Sequence, residues 1–206
     1  MTDTTGFIHL HQPPPEGETR YLLLLHGTGG DEQDMVSLGR IVAPAFGYLA
    51  PRGQVLEGAA HRYFRRLAEG VFDVPDLKRR ADQLADWIVA AVARYRIDRT
   101  RLTALGFSNG ANIASAMLFQ RPDAFGDAVL LRPMVPFEPD PGDLRGRRIL
   151  ALAGSLDPIT PPEHLDRLAT LLAERGATVD ARVVPAGHGL VRADLEAVAS
   201  WLQRTP

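Results

Sequence analysis

Cysteine is absent from the 206 residues of this chain, which excludes disulfides, cysteine–zinc sites and a thiol nucleophile. No apolar run approaches the roughly 18 residues that a membrane-spanning helix needs. An excess of positive charge is also missing, because 23 Lys and Arg against 25 Asp and Glu give a formal net charge of −2. With no basic block either, we expect neither nucleic acid nor a membrane surface as a partner.

No basic-plus-apolar signal pattern opens the chain, so we expect a cytoplasmic protein. Hydrophobic residues make up 45% of the chain and charged residues 23%, which is ordinary for a globular protein. There is no repeat, linker or low-complexity stretch. The length therefore suits a single domain over residues 1–206.

Strand-like and helix-like segments alternate along the chain. Strands are predicted at residues 7–11, 20–25, 46–50, 101–105, 128–132, 148–153 and 178–185. Helices are predicted near residues 33–40, 77–94, 110–120, 162–175 and 190–203. The first two strands flank a proline-rich turn and are predicted to pair as an edge hairpin. Apolar runs in the later strands suit parallel strands covered on both faces, so we predict an α/β fold: a three-layer sandwich with a mostly parallel central sheet.

Apolar residues at helical spacing support the helix predictions. In the helix near residues 77–94, the stripe consists of Leu77, Ala81, Leu84, Ile88 and Val92. The last helix is expected to bury Val191, Leu195, Val198 and Leu202, and to leave Asp194 on its exterior.

The most informative segment is Gly106-Phe-Ser-Asn-Gly110, which follows an apolar strand and precedes an alanine-rich helix. This G-x-S-x-G pattern is typical of a nucleophile elbow, a sharp strand-to-helix turn that holds a serine in strained backbone geometry. Side chains two residues before and after Ser108 would collide, which suits Gly106 and Gly110. The pattern predicts Ser108 as a nucleophile, with the amide groups of the following helix aimed at it.

A serine hydroxyl needs a base to remove its proton, and a neutral imidazole is the best-matched base near pH 7. His188 lies between two glycines after the last predicted strand, and we predict it to be this base. The competing histidines lie on the edge strand, at a strand end, in a loop or at a helix start, and fit less well: His9, His11, His26, His61 and His164.

The imidazole in turn needs a carboxylate to fix its tautomer and to stabilise the imidazolium. Asp157 directly follows a predicted strand and precedes a proline, which indicates a tight turn at the sheet edge where such sites form. Asp180 is expected at the opposite edge and Asp194 on a helix exterior. We therefore predict Asp157 as the orienting acid, in the chain order serine, acid, histidine.

The backbone N–H groups of Thr28 and Asn109 are predicted to form an oxyanion hole. Asn109 follows the nucleophile, and Thr28 lies in the Gly-rich loop after the second strand, where small residues let the backbone approach substrate. A Gly-rich loop can also be a plain turn or cradle phosphate. The phosphate interpretation is weak here, because no Gly-Lys-Ser/Thr follows and the spacing is not G-x-G-x-x-G.

Four residues near this edge are candidates for a substrate pocket: Phe64, Phe72, Arg132 and Met134. The aromatic and methionine side chains would either wall an acyl pocket or fill the core. Arg52 and Arg132 follow strands, where a structural salt bridge is favoured over substrate contact. His9 and His11 have no third ligand cluster in the sequence, so we predict no metal site. No cofactor is expected either.

Four motifs together resemble one known family: Leu25-His-Gly-Thr-Gly-Gly-Asp-Glu32, Gly106-Phe-Ser-Asn-Gly-Ala-Asn112, the Asp157-Pro turn and Gly187-His-Gly189. They are similar to those of the phospholipase/carboxylesterase branch of the α/β-hydrolases, which includes acyl-protein thioesterases and bacterial carboxylesterases. The resemblance spans nearly the whole chain. It implies an α/β-hydrolase fold and a serine carboxylesterase with Ser108, Asp157 and His188 as its triad, and Thr28 and Asn109 as its oxyanion hole.

With two departures from the thioesterases, and with Pro51-Arg-Gly53 and Arg62-Tyr-Phe-Arg-Arg-Leu-Ala-Glu-Gly-Val-Phe-Asp73, the chain is more similar to bacterial esterases of the hydroquinone-resistance subgroup. Asn109 stands where thioesterases have glutamine, and Leu131-Arg-Pro-Met-Val-Pro136 stands where they have Ser-Gly. This subgroup resemblance argues against lipidated proteins and phospholipids as substrates, and we expect small, short-acyl or aryl esters. A dienelactone-hydrolase-like, acyl-protein-thioesterase-like or lysophospholipase-like activity and a non-catalytic binding protein on this scaffold are the alternatives, and a homodimer is left open.

Lipases of this fold usually carry a cap domain after the strand that ends here at Arg132. The next strand starts near Arg148, which leaves about 15 residues, too few for a helical cap. We therefore expect no cap domain and an open cleft that buries little of a long acyl chain. Because each unburied CH₂ forgoes about 0.8 kcal/mol of binding, this expectation also favours short acyl groups.

Overall fold

The computed structural model describes residues 6–204. Eleven strands lie within this range: β1 His9–Gln12, β2 Tyr21–Leu25, β3 Gly47–Pro51, β4 Val55–Glu57, β5 Ala60–Arg62, β6 Arg66–Ala68, β7 Val71–Phe72, β8 Leu102–Phe107, β9 Ala128–Leu131, β10 Arg148–Gly154 and β11 Thr178–Val184. The five α-helices of this range are α1 Val36–Val42, α2 Val74–Tyr95, α3 Asn109–Gln120, α4 Glu163–Ala173 and α5 Arg192–Gln203, and a 3₁₀ turn spans Arg99–Arg101. The predicted strands and helices are therefore confirmed, with ends that differ by up to three residues.

Seven strands form one sheet in the order β1-β3-β2-β8-β9-β10-β11. All neighbours are parallel except β1, which runs antiparallel to β3. The predicted hairpin between β1 and β2 is wrong. Because β2 is buried along its whole length and paired on both sides, it belongs in the middle of the sheet. The partly exposed β1 instead covers the outer edge of β3.

Successive residues of the central strands point to opposite faces of the sheet, and each face packs against its own helices. In β2, Leu23 and Leu25 join the core cluster built with α2, α3 and α4, whereas Leu22 and Leu24 join the cluster built with α5 and the segment around α1. Helices on both faces give the three layers of an α/β sandwich. The predicted fold class is confirmed.

The helix α2 buries the whole stripe that its sequence predicted, from Leu77 to Val92. Asp73 caps its N-terminus by accepting a hydrogen bond from the Asp76 N–H at 3.1 Å. In α5 the prediction is partly wrong. Val191 is 38% exposed and precedes the helix, whereas Asp194 is buried beside Val198 on the inner face. Asp194 therefore occupies a core position, although the apolar spacing of this helix predicts that it faces solvent.

Two short hairpins between β3 and α2, β4–β5 and β6–β7, are absent from the sequence predictions. Each turns at a glycine with positive φ, at Gly58 and Gly70. Their strands have only two or three residues, too short for a recognisable alternation. Residues 133–147 contain no helix or strand, which agrees with the expected lack of a cap. None of the helices within residues 6–204 combines the length and apolar content needed to cross a membrane.

Candidate active site

Ser108 stands at the turn between β8 and α3, with φ 51° and ψ −110°. Its N–H donates to the Leu131 carbonyl of β9 at 2.8 Å, which holds the turn over the centre of the sheet. A Cβ at Gly106 would lie 2.5 Å from the Gly110 carbonyl oxygen, and one at Gly110 would lie 2.0 Å from the Leu25 carbonyl oxygen. The elbow geometry therefore requires glycine at both positions.

His188 lies in the loop after β11, and its Nε2 is 3.0 Å from the Ser108 hydroxyl oxygen. Its Nδ1 is 2.8 Å from the Asp157 carboxylate, whose side chain is fully buried. The other Asp157 oxygen accepts from the N–H groups of Ile159 at 2.8 Å and Thr160 at 3.1 Å. A carboxylate held in this way keeps the proton on Nδ1 and leaves Nε2 free to accept the serine proton.

The rival histidines and carboxylates have other partners. His26 is buried, donates from Nδ1 to the Gly27 carbonyl at 2.7 Å and accepts at Nε2 from the Gly53 N–H at 2.9 Å. Burial also lowers the pKa of His26. Asp180 lies on β11, where it binds Arg182. Within residues 6–204, no group of three or more His, Cys, Asp or Glu side chains could hold a metal ion.

The loop after β2 is pinned beside Ser108 by the hairpin β4–β5. The Gly29 N–H donates to the His61 carbonyl at 2.9 Å, and Nη1 of Arg62 donates to the Thr28 hydroxyl at 2.6 Å. Sequence reasoning missed this role of β5. Asn109 is the first residue of α3, and the first amides of a helix have no intrahelical acceptor.

Tyr63 connects this loop to the elbow. Its N–H donates to Oδ1 of Asn109 at 2.8 Å, and its hydroxyl donates to the Pro51 carbonyl at 2.7 Å while accepting from the His26 N–H at 3.2 Å. Full burial raises the pKa of the Tyr63 hydroxyl. Nδ2 of Asn109 is buried too and has no hydrogen-bond partner among the described residues. Tyr63 thus links the ends of β2 and β3, which its hydroxyl bonds, to the first turn of α3, which its backbone N–H bonds.

A cleft opens next to Ser108 and is lined mainly by polar and charged residues. The lining residues are Thr28, Arg62, Arg66, Glu69, Gly70, Phe72, Ser108, Asn109, Asn112, Met134, Ile159 and Thr160. Phe72 and Met134 were predicted there. Phe64 was also predicted to line it, but its side chain is fully buried behind the wall, with its ring 5.1 Å from that of Phe72. The lining residues Arg62, Arg66, Glu69 and Gly70 were not predicted, because they belong to the two short hairpins, which were not predicted either.

Arg132, one of the candidates for the substrate pocket, does not line the cleft and forms instead the structural salt bridge that the sequence favoured over substrate contact. Its side chain is 0% exposed and forms a bidentate ion pair with Asp194, at 2.9 and 2.7 Å. The same guanidinium donates to the carbonyls of Gly187 at 3.1 Å and Gly189 at 3.2 Å, the two neighbours of His188. Arg132 therefore fixes the loop that carries the imidazole. Arg52 likewise forms a salt bridge, with Glu32.

Asp194 has a second role at the start of α5, where its carboxylate accepts from the Val191 N–H at 2.8 Å. One buried carboxylate thus binds both Arg132 and the helix terminus that follows the His188 loop. Removal of a partner from a buried pair leaves an uncompensated charge, which is strongly destabilising.

We predict that Asp194→Ala lowers the free energy of unfolding by about 3–5 kcal/mol, because Arg132 stays buried without its counter-ion. Glu196→Ala is the matched control on the same helix. It removes the exposed pair between Arg192 and Glu196 and should cost well under about 1 kcal/mol. Urea unfolding of both variants measures the difference. Equal costs would contradict a dominant role for the buried pair.

A mostly parallel sheet covered on both faces, with a serine elbow and a Ser–His–Asp array at the carboxyl ends of its strands, defines the α/β-hydrolase class. No family model matches the chain. MhqD of Bacillus subtilis strain 168, a hydrolase by its name, is 41% identical over 181 residues, which cover 87% of this chain and 90% of MhqD. The chain therefore belongs to the phospholipase/carboxylesterase family of α/β-hydrolases, as its motifs indicated.

Solved structures agree with this assignment. A carboxylesterase from Bacillus cereus has a TM-score of 0.93 at 38% identity, covering 96% of this chain and 94% of its own. A carboxylesterase from Mesorhizobium loti has a TM-score of 0.87 at 35% identity, covering 91% and 90%. The protein is a carboxylic ester hydrolase.

Proposed function

We propose that the protein hydrolyses small, short-acyl or aryl esters through an acyl-enzyme formed on Ser108. The observation that carries this proposal is the continuous array from the Ser108 hydroxyl through His188 to the buried Asp157, with distances of 3.0 and 2.8 Å. Both contacts are within hydrogen-bond reach, so the proton has a direct route off the serine.

In the proposed mechanism, the Ser108 hydroxyl attacks the ester carbonyl while Nε2 of His188 takes its proton. The N–H groups of Asn109 and Thr28 bind the oxyanion that develops. The imidazolium, stabilised by Asp157, then gives its proton to the leaving alcohol. Water, activated by the same imidazole, releases the acid and restores the serine.

Substrate size follows from the walls of the cleft. The hairpins β4–β5 and β6–β7 contribute Arg62, Arg66 and Glu69 to its lining, and no helix covers it from residues 133–147. Charged walls and an open top favour small esters over long acyl chains. A lactone-directed or thioester-directed hydrolase would use the same array, so substrate panels separate these alternatives. A binding protein on this scaffold would not react with a fluorophosphonate probe.

Ser108→Ala should lower kcat on p-nitrophenyl acetate by about a thousandfold or more, because only binding and the oxyanion hole remain. It should also abolish fluorophosphonate labelling, with an unchanged circular dichroism spectrum. A well-folded variant that kept a tenth of the rate would remove Ser108 as the nucleophile.

Asp157→Asn should lower kcat by about 10³–10⁴-fold, because an amide supports the wrong imidazole tautomer. Asp180→Asn is the matched control, since Asp180 pairs with Arg182 rather than with the imidazole. Its kcat should stay close to that of wild type, because Asp180 contacts neither the imidazole nor the cleft. A severe loss in Asp180→Asn with a mild one in Asp157→Asn would reassign the acid.

On p-nitrophenyl esters from acetate to palmitate, kcat/KM should be highest at short chain lengths. Each CH₂ left outside the cleft forgoes about 0.8 kcal/mol of binding. No jump in rate is expected above the solubility limit of the substrate, because there is no cap to displace. A maximum at dodecanoate or longer would contradict the open cleft and favour a lipid-directed thioesterase.

A further inference from the structure

The strand β11 forms one edge of the sheet, and among the described residues its only strand partner is β10. The Thr178 N–H donates to the Arg147 carbonyl at 2.9 Å, and the Val184 carbonyl accepts from the Ser155 N–H at 2.8 Å. At both ends of β11, the residues whose backbone groups point to β10 are therefore even-numbered. Because backbone groups alternate in direction along a strand, the odd-numbered residues 179, 181 and 183 turn their N–H and C=O groups to the open edge.

The side chains of β11 also alternate. The register pairs Val179 with Ile149 and Ala181 with Ala151, which places the odd-numbered side chains on the face covered by α4. Val183 is 49% exposed there. Asp180 and Arg182 lie on the opposite face, where Arg204 of the α5 C-terminus approaches Asp180 at 3.9 Å.

We propose that β11 pairs antiparallel with β11 of a second copy of this chain, about a two-fold axis at Ala181. This pairing sets Ala181 opposite its own copy and Val179 opposite Val183. Each of the three outward residues of both copies then donates and accepts one backbone hydrogen bond across the axis. The two sheets become continuous.

The charges of β11 complement themselves in this register. Asp180 of each copy lies opposite Arg182 of the other, in a pair without backbone hydrogen bonds, where side chains approach most closely. The Asp180–Arg182 ion pair, now made within one strand at 2.5 Å, is replaced by two pairs across the axis. A two-fold axis at Asp180 or at Arg182 would instead set like charges against each other. The sequence of β11 thus selects one register.

The dimer leaves the catalytic array free. Antiparallel strands point their carboxyl ends in opposite directions, so the two clefts lie on opposite sides of the assembly. The proposal is independent of which ester is hydrolysed. It concerns an edge strand whose central residues contribute nothing to the cleft.

The first experiment is sedimentation equilibrium of the whole chain over a range of concentrations. Wild type should show reversible association to twice the chain mass. Ala181→Pro should be monomeric, because it removes an N–H that points to the open edge and none that bonds β10. Unchanged hydrolysis of p-nitrophenyl acetate serves as the folding control. A monomeric wild type, or a dimer that persists in a folded Ala181→Pro, would overturn the proposal.

A charge exchange tests the register and does not depend on proline. Asp180→Arg and Arg182→Asp each set like charges across the axis, so each alone should dissociate at least about tenfold more readily than wild type. An equimolar mixture of the two variants restores both ion pairs and should form a heterodimer with nearly wild-type affinity. If the mixture associates no better than its components, or if each variant alone dimerises like wild type, the proposed pairing is wrong.

Discussion

The site depends on the close approach of β2, β8 and the first turn of α3. The Leu25 carbonyl lies so near Gly110 that any side chain at this position would collide with it, and Gly106 is confined in the same way. Packing therefore holds Ser108 at φ 51°, a backbone conformation that its residue type does not favour. The same approach directs the N-terminal amides of α3 at the serine hydroxyl.

Separate devices hold the other two parts of the site. The buried pair of Arg132 and Asp194 fixes the loop on both sides of His188. The hairpin β4–β5 fixes the loop after β2 through the hydrogen bond from Arg62 to Thr28. The next residue, Tyr63, connects this hairpin to the elbow by donating its N–H to Asn109. The serine, the imidazole and the loop after β2 therefore follow different strands but are held by hydrogen bonds to buried groups, which preorganises the site.

These supports also explain the character of the cleft. The buried Arg62 holds the loop after β2 by donating a hydrogen bond to the Thr28 hydroxyl. Burial lowers the pKa of this guanidinium. The ring of Phe64 lies behind the wall, whereas Phe72 is part of the lining. The result is a small cleft with polar and charged walls, next to an array suited to acyl transfer.

Local patterns in the sequence determined the seven sheet strands, the five helices and the candidate residues Ser108, Asp157 and His188. Each of these follows from spacing within a short segment, such as glycine at both sides of a turn or apolar residues at a helical period. Only the tertiary structure decided that β1 pairs with β3, that Asp194 is buried and that Arg132 faces it rather than substrate. Such contacts join residues far apart in the chain. Their energies depend on burial and on the identity of the partner, and neither of these two properties can be inferred from the residues adjacent in sequence.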